Sequence, residues 1–318
     1  MGKARKLKQK LQTRKKRVHL FEGLTNYDKR SFHNAAKNKL LGSRCACHLT
    51  VIRMRKKKIA ILGGGNLGGA IAEGLIKSTF VSPEQITVTR RNVNALNHLK
   101  EMGVTVTSEN DFAIQNSDII IVALKPYNVK EILEGVKQHV DPARHVIISV
   151  VTGIAISDLS AIVNHGTPIF RAMPNTAIGI QESVTCLCHA GASPEQVNYV
   201  TELFNQLGIT ISIDENLMDA ATVLGACGIA YALRFIRAAT QGGIEIGFDA
   251  QTANLIAAQT VKGAAELLLK LNRHPEEEID KVTTPKGCTI VGLNEMEHQG
   301  FSSSLIKGIG ASYEKIVK

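Results

Sequence analysis

The chain predicts an N-terminal α/β domain, built on a doubly wound and mostly parallel sheet, followed by an all-α C-terminal domain. Three observations predict it. From residue 57 to about 172, short aliphatic runs alternate with helical patterns. A glycine-rich turn, Gly63-Gly64-Gly65-Asn66-Leu67-Gly68, stands between the first such run and the first helical pattern. Beyond Asp214 the period is helical, and Ala and Gly become frequent.

Taken in order, strands are expected at 58–62, 86–89, 118–123, 146–150 and 168–171, all continuous apolar runs that suit strands buried on both faces. A further strand is expected around 180–189. A helix over 194–207 is opened by Ser193-Pro194-Glu195. The first strand runs into a G-x-G-x-x-G at Gly63, Gly65 and Gly68, and the apolar helix of Leu67, Ile71 and Leu75 leaves it. Gly63 allows the tight turn, Gly65 removes the side chain where a pyrophosphate must approach, and Gly68 lets helix and strand pack closely. The N–H groups of Asn66 and Leu67, at the helix N-terminus, then face the phosphates. Strand, loop and helix together predict a Rossmann domain that binds a dinucleotide.

An NAD site places an Asp or Glu at the tip of the second strand to bond the ribose 2′-hydroxyl. Here the strand Ile86–Thr89 ends in Arg90-Arg91-Asn92. Two guanidiniums suit a 2′-phosphate, so NADPH is the expected cofactor, with NADH as a weaker donor. Ligands of such a sheet sit beyond the carboxyl ends of its strands. Ala123-Leu124-Lys125-Pro126, Val150-Val-Thr-Gly153 and Arg171-Ala-Met-Pro-Asn175-Thr176 reach that edge. Ala123, Lys125, Pro126 and Asn175 therefore join the glycine loop, Arg90 and Arg91 as expected cofactor contacts.

The second half is expected as helices over 216–246, 249–271, 287–297 and 301–317. So many small residues on more than one face favour packing against a second copy. In Val282-Thr283-Thr284-Pro285-Lys286-Gly287-Cys288-Thr289, Thr284 and Pro285 read as N-cap and first residue of a helix. That geometry would offer the N–H groups of Gly287, Cys288 and Thr289 to a carboxylate, with the Thr289 hydroxyl one step inside.

The formal charge of +10 belongs to one segment. Residues 1–58 hold 19 of the 38 Lys plus Arg but only two acids, Glu22 and Asp28, leaving 19 basic against 26 acidic residues in the other 260. Met54 stands immediately before the first strand, and the expectation is that the natural protein starts there, with 1–56 a basic extension that is disordered or foreign. Targeting and nucleic-acid binding are the alternatives for that extension. The domains are thus 57–213 and 214–318. The six cysteines form no disulfide framework, and the C-x-C-H spacings at 45–48 and 186–189 do not match zinc knuckles, so no metal is expected. The longest uninterrupted apolar stretch, Ala220 to Leu233, is short for a bilayer, and a cytoplasmic protein without membrane contact is expected.

Gly63-Gly-Gly-Asn-Leu-Gly68, Val122-Ala-Leu-Lys-Pro126, Arg171-Ala-Met-Pro-Asn-Thr176, Gly225-Ala-Cys-Gly-Ile-Ala-Tyr231 and Thr283–Thr289, followed by Leu293 and Glu295, occur in that order. Together they resemble the pyrroline-5-carboxylate reductase family, from about residue 57 to the C-terminus. The resemblance implies a Rossmann domain, an interleaving helical dimerisation domain, and reduction of 1-pyrroline-5-carboxylate to L-proline by NADPH, the last step of proline biosynthesis. It further implies that Lys286, Gly287, Cys288 and Thr289 hold the substrate, with Thr289 near the ring nitrogen. Lys286 stands where the family has Gly, and Cys288 where it has Thr or Ala. The family's S-G-S-G-P-A-Y appears here without its Ser and Pro. The rival readings are a β-hydroxyacid-type NADP dehydrogenase, or a non-catalytic NADP-binding protein with a basic nucleic-acid-binding tail.

Overall fold

The computed structural model describes residues 57–317; the extension expected over 1–56 and the expected start at Met54 lie outside them. Strands β1 (Ile59–Leu62), β2 (Ile86–Thr89), β3 (Thr105–Thr107), β4 (Ile119–Val122), β5 (Val146–Ser149), β6 (Ile169–Met173), β7 (Ser183–Ala190) and β8 (Gly208–Ser212) form one sheet in the order β3-β2-β1-β4-β5-β6-β7-β8. Strands β1 to β6 pair in parallel, β7 is antiparallel to β6, and β8 is parallel to β7. The order reverses between β1 and β4, and a crevice opens where the chain departs to opposite sides.

The continuous apolar runs follow from burial of both sheet faces. Along β1, Ile59 and Ile61 enter one core while Ala60 and Leu62 enter the other; along β4, Ile119 and Ile121 part in the same way from Ile120 and Val122. The first core is covered by α1 (Asn66–Lys77), α2 (Asn97–Glu101) and α6 (Pro194–Asn205), through Ile71, Leu75, Leu99, Val200 and Phe204. The second is covered by α3 (Asn110–Gln115), α4 (Pro126–Val136) and α5 (Ile156–Ile162), through Ile114, Val129, Leu133 and Leu159. Each fully buried Ile or Leu contributes about 1.5–3 kcal/mol. Helix α6 opens as its sequence implies: the Gln196 N–H donates to Ser193 Oγ at 3.3 Å and the Ser193 N–H to Gln196 Oε1 at 2.8 Å.

Two strands were not expected, and they are the sheet's two edges. β3 is a three-residue Thr-Val-Thr; β8 alternates half-exposed and exposed residues. Edge strands are short and buried on at most one face, so they lack the apolar run that marks an inner strand.

From Glu215 onward the chain is helical. α7 (Met218–Ala221) passes through a π turn at Thr222–Cys227 into α8 (Gly228–Glu245); α9 (Ala250–Leu271), α10 (Pro275–Val282), α11 (Cys288–His298) and α12 (Phe301–Val317) follow. Asp249 caps α9, its carboxylate accepting from the Gln251 and Thr252 N–H groups at 3.0 Å. Tyr231 on α8 bonds Ser312 on α12 at 2.6 Å. Helix α10 was not expected, because Pro-Glu-Glu-Glu-Ile-Asp-Lys-Val is short and has only Ile279 and Val282 as large apolar residues among five charged ones. α10, α11 and α12 contain no buried residue, and on α9 Leu255 and Leu269 stand 68% and 69% exposed. The helical path Glu215–Glu245 is 31 residues long and apolar enough by length and composition to cross a membrane. It extends beyond the uninterrupted apolar stretch Ala220–Leu233 at both ends.

Candidate active site

The glycine loop sits at the carboxyl end of β1, against the tips of β2 and β4. Gly63 has φ +105°, and a Cβ there would collide with the Ala123 carbonyl. A Cβ on Gly68 would collide with the Gly63 carbonyl, which is the close approach of helix to strand that the motif requires. The N–H groups of Gly63 and Gly64 both donate to Thr89 O, at 3.2 and 2.7 Å, so they are committed to holding the loop against β2. Gly65 is the N-cap of α1, has no side chain to satisfy the first turn, and faces open space. The N–H groups of Asn66 and Leu67 therefore remain for an anion at the helix N-terminus.

The loop forms one wall of a cleft of about 820 Å³. Gly63–Leu67, Thr89–Arg91, Ala123–Pro126 and Val150–Thr152 line it, with Ser108 just after β3 and Asn110 at the start of α3. Thus Gly63, Gly65, Asn66, Leu67, Arg90, Arg91, Ala123, Lys125 and Pro126 are brought together, and Gly68 lies beneath them as packing. Arg90 is also structural, since its Nη1 donates to Gly64 O at 2.9 Å. Ser108 and Asn110 escaped the sequence reading because the strand that delivers them did. An unfilled side-chain position at Gly65, an uncapped helix start and two guanidiniums at the β2 tip fit a phosphorylated dinucleotide.

Asn175 is not among the cleft-lining residues. It caps a short 3₁₀ turn, its Oδ1 accepting the Ala177 N–H at 3.0 Å while its Nδ2 donates to Gly225 O at 3.3 Å. Its amide ties the end of β6 to the π turn.

The Thr284–Thr289 segment also differs from expectation. The helix begins at Cys288 with Gly287 as N-cap, not at Pro285. A tight turn precedes it, closed by the Gly287 N–H on Thr284 O at 2.9 Å. Lys286 sits at φ +60°, a left-handed conformation that the Gly of the family pattern adopts without strain. Of the three expected donors, only Cys288 and Thr289 keep their N–H groups for a ligand. Lys286 and Cys288 are exposed and Thr289 is half-buried. None of Lys286, Gly287, Cys288 or Thr289 lines the cleft within the one chain.

Cys186 and Cys188 lie on β7, and burial pushes both thiols above their ordinary pKa. Cys188 is buried and Cys186 half-buried against the same core, and neutral thiols so placed on a strand are packing groups.

Two family models match the chain: pyrroline-5-carboxylate reductase dimerisation over residues 215–318, and NADP oxidoreductase coenzyme F420-dependent over 58–153. Pyrroline-5-carboxylate reductase 1 of Dictyostelium discoideum is 48% identical over 269 residues, covering 81% of this chain; the chain spans about half, 49%, of that longer relative. Pyrroline-5-carboxylate reductase 2 of the same organism is 47% identical, covering 82% of this chain and 93% of the relative. Among solved structures, Plasmodium falciparum pyrroline carboxylate reductase with NADP bound matches with TM-score 0.74 and 27% identity, over 82% of this chain and 97% of that one.

Proposed function

The chain belongs to the pyrroline-5-carboxylate reductase family, and on that premise we propose that it reduces 1-pyrroline-5-carboxylate to L-proline with NADPH as the preferred donor and NADH a weaker one. The observation that carries the cofactor is the cleft at the β1/β4 switch point, in which the glycine loop and the Arg90-Arg91 tip face the same space. The cofactor, when bound, supplies the hydride; the protein supplies alignment and charge balance.

Asn66 and Leu67 hold the pyrophosphate on their N–H groups, and Arg91, with the remaining donors of Arg90, holds the 2′-phosphate. Ala123, Lys125, Pro126 and the Val150–Thr152 wall bound the reacting half of the cleft. The substrate carboxylate takes the Cys288 and Thr289 N–H groups, in a turn whose shape Lys286 and Gly287 set. The Thr289 hydroxyl bonds the ring nitrogen, where the imine proton sits. A protonated imine is already an electrophile, so no strong side-chain acid is needed.

Because the Thr284–Thr289 turn does not reach the cleft of its own chain, the partner subunit's turn completes the site in a homodimer or a higher homo-oligomer. The dimerisation-model match over 215–318 and the exposed apolar residues of that region support this. The same match supports reading the apolar path Glu215–Glu245 as a surface for a second copy rather than as a membrane span. A cytoplasmic enzyme, with residues 1–53 dispensable and no nucleic-acid partner, completes the proposal.

The test is oxidation of NADPH and of NADH by purified residues 54–318 in the presence of 1-pyrroline-5-carboxylate. The expected result is turnover with both and a higher kcat/KM for NADPH. No oxidation of either would overturn the function.

A further inference from the structure

Glu215 stands where the helical half begins, and its carboxylate reaches back into the sheet half. Oε1 accepts the Ile156 N–H at 2.7 Å and the Arg171 Nη1–H at 2.9 Å. Arg171 is a β6 side chain, 5% exposed, whose Nη2 lies 3.9 Å from Asp219 on α7. Ile156 is the first residue of α5, and its N-cap, Ala155, has no side chain with which to cap it. A carboxylate from 59 residues downstream therefore acts as the missing cap.

What precedes that cap is the loop Val150-Val151-Thr152-Gly153-Ile154-Ala155, whose first three residues line the cleft. At its other end the Val151 N–H donates to Ser149 Oγ at 3.3 Å, and Ser149 lies in register with Arg171 on the neighbouring strand. The loop is thus held at both ends, with Arg171 next to each hold. A dinucleotide straddles the β1/β4 switch point. Its phosphorylated end lies on the β2 side, where Arg90 and Arg91 are, so the β5 side with this loop receives the reacting ring.

We propose that Glu215 is a positioning residue for the reduction: it fixes the Val150–Thr152 wall against the reacting ring and joins that wall to the start of the dimerisation domain. The inference rests on the function proposed above. Glu215→Ala removes the cap and leaves Arg171 with Asp219 alone. Glu215→Gln keeps an oxygen for the Ile156 N–H. Ile156→Pro removes that donor at a first-turn position that tolerates proline, after an Ala155 already extended at φ −76°, ψ 161°.

The experiment compares kcat with the inhibition constant of 2′,5′-ADP, which occupies only the β2 side, and follows the oligomer by size-exclusion chromatography. Glu215→Ala and Ile156→Pro are expected to lower kcat by about 10- to 100-fold, as misplacement of a reacting group does. Binding of 2′,5′-ADP should hold within about twofold and the oligomer should stay intact, while Glu215→Gln should recover kcat to within about threefold of wild type. Unchanged kcat in a folded Glu215→Ala overturns the proposal. A parallel loss of 2′,5′-ADP binding, or dissociation of the oligomer, also overturns it by reducing Glu215 to a structural support. Should Glu215→Ala not fold, full kcat in Ile156→Pro overturns it instead. A wild-type protein without activity would sink the assigned function, which is a different failure.

Discussion

The sheet half and the helical half handle their apolar residues in opposite ways. Strands β1, β4 and β5 are buried along their whole length between two helical layers of the same chain. Helices α10 to α12 bury nothing, and α9 presents Leu255 and Leu269 outward. The first half is a closed body that can hold a cofactor alone. The second leaves its apolar residues uncovered, and the Thr284–Thr289 turn proposed to hold the substrate lies within it. Cofactor binding should therefore survive damage to the interface, whereas catalysis should not.

The sharpest break in that comparison is Leu255→Glu combined with Leu269→Glu. The two residues lie on one face of α9, and each contributes about 2 kcal/mol when a partner covers it. The expected outcome is a monomer by analytical ultracentrifugation, with activity lost by at least about 10²-fold and 2′,5′-ADP binding unchanged. Activity surviving in the monomer would mean that one chain completes its own site.

Thr289→Ala comes next. Turnover should fall by about 10²-fold, the range for one positioned proton-handling group, while NADPH binding and dimer formation persist. Steady-state kinetics read this directly, and unchanged kcat would remove Thr289 from the mechanism.

Arg91→Ala probes the sheet half alone and should cost less. Loss of one charged contact to a phosphate lowers kcat/KM for NADPH by about tenfold, or about 1.4 kcal/mol, and leaves the NADH value unchanged. Arg91 is the cleaner probe, because Arg90 also holds the Gly64 carbonyl. Equal losses with both donors would show that the guanidinium does not read the 2′-phosphate.

The same contrast explains what could be read from the sequence. Inner strands announce themselves, since burial on both faces demands runs such as Ile119-Ile120-Ile121-Val122. The glycine loop is legible because each glycine answers a separate steric demand, and the strain at Lys286 is legible as a side chain where the family has none. The edge strands β3 and β8 are not legible, as half-buried strands share their pattern with loops. Ser108 and Asn110 were lost with β3. Asn175 is ambiguous in the sequence because a strand-end Asn can cap a turn, meet a cofactor or do both, and its bonds to Ala177 and Gly225 show the capping role. Glu215 carried no signal, because its two partners lie 59 and 44 residues away.

The smallest expected effect is a pH response confined to the sheet half. His145, just before β5, is buried: its Nδ1 accepts the Asp141 N–H at 2.8 Å, and its Nε2 is buried without a hydrogen-bond partner. Burial, reinforced by the neighbouring Arg144 charge, pushes its pKa below the ordinary 6.5. Below about 6.5 the unfolded chain therefore binds more protons than the folded one, and stability rises with pH through that window. The contribution is fully present above the unfolded value and is lost as the pH falls towards the folded one. His145→Gln keeps an acceptor for the Asp141 N–H and carries no titrating group. Its Tm should vary less between pH 7 and pH 5 than that of the wild type. Equal slopes for the two proteins would place the acid sensitivity elsewhere, with the exposed carboxylates of the helical half as the next groups to test.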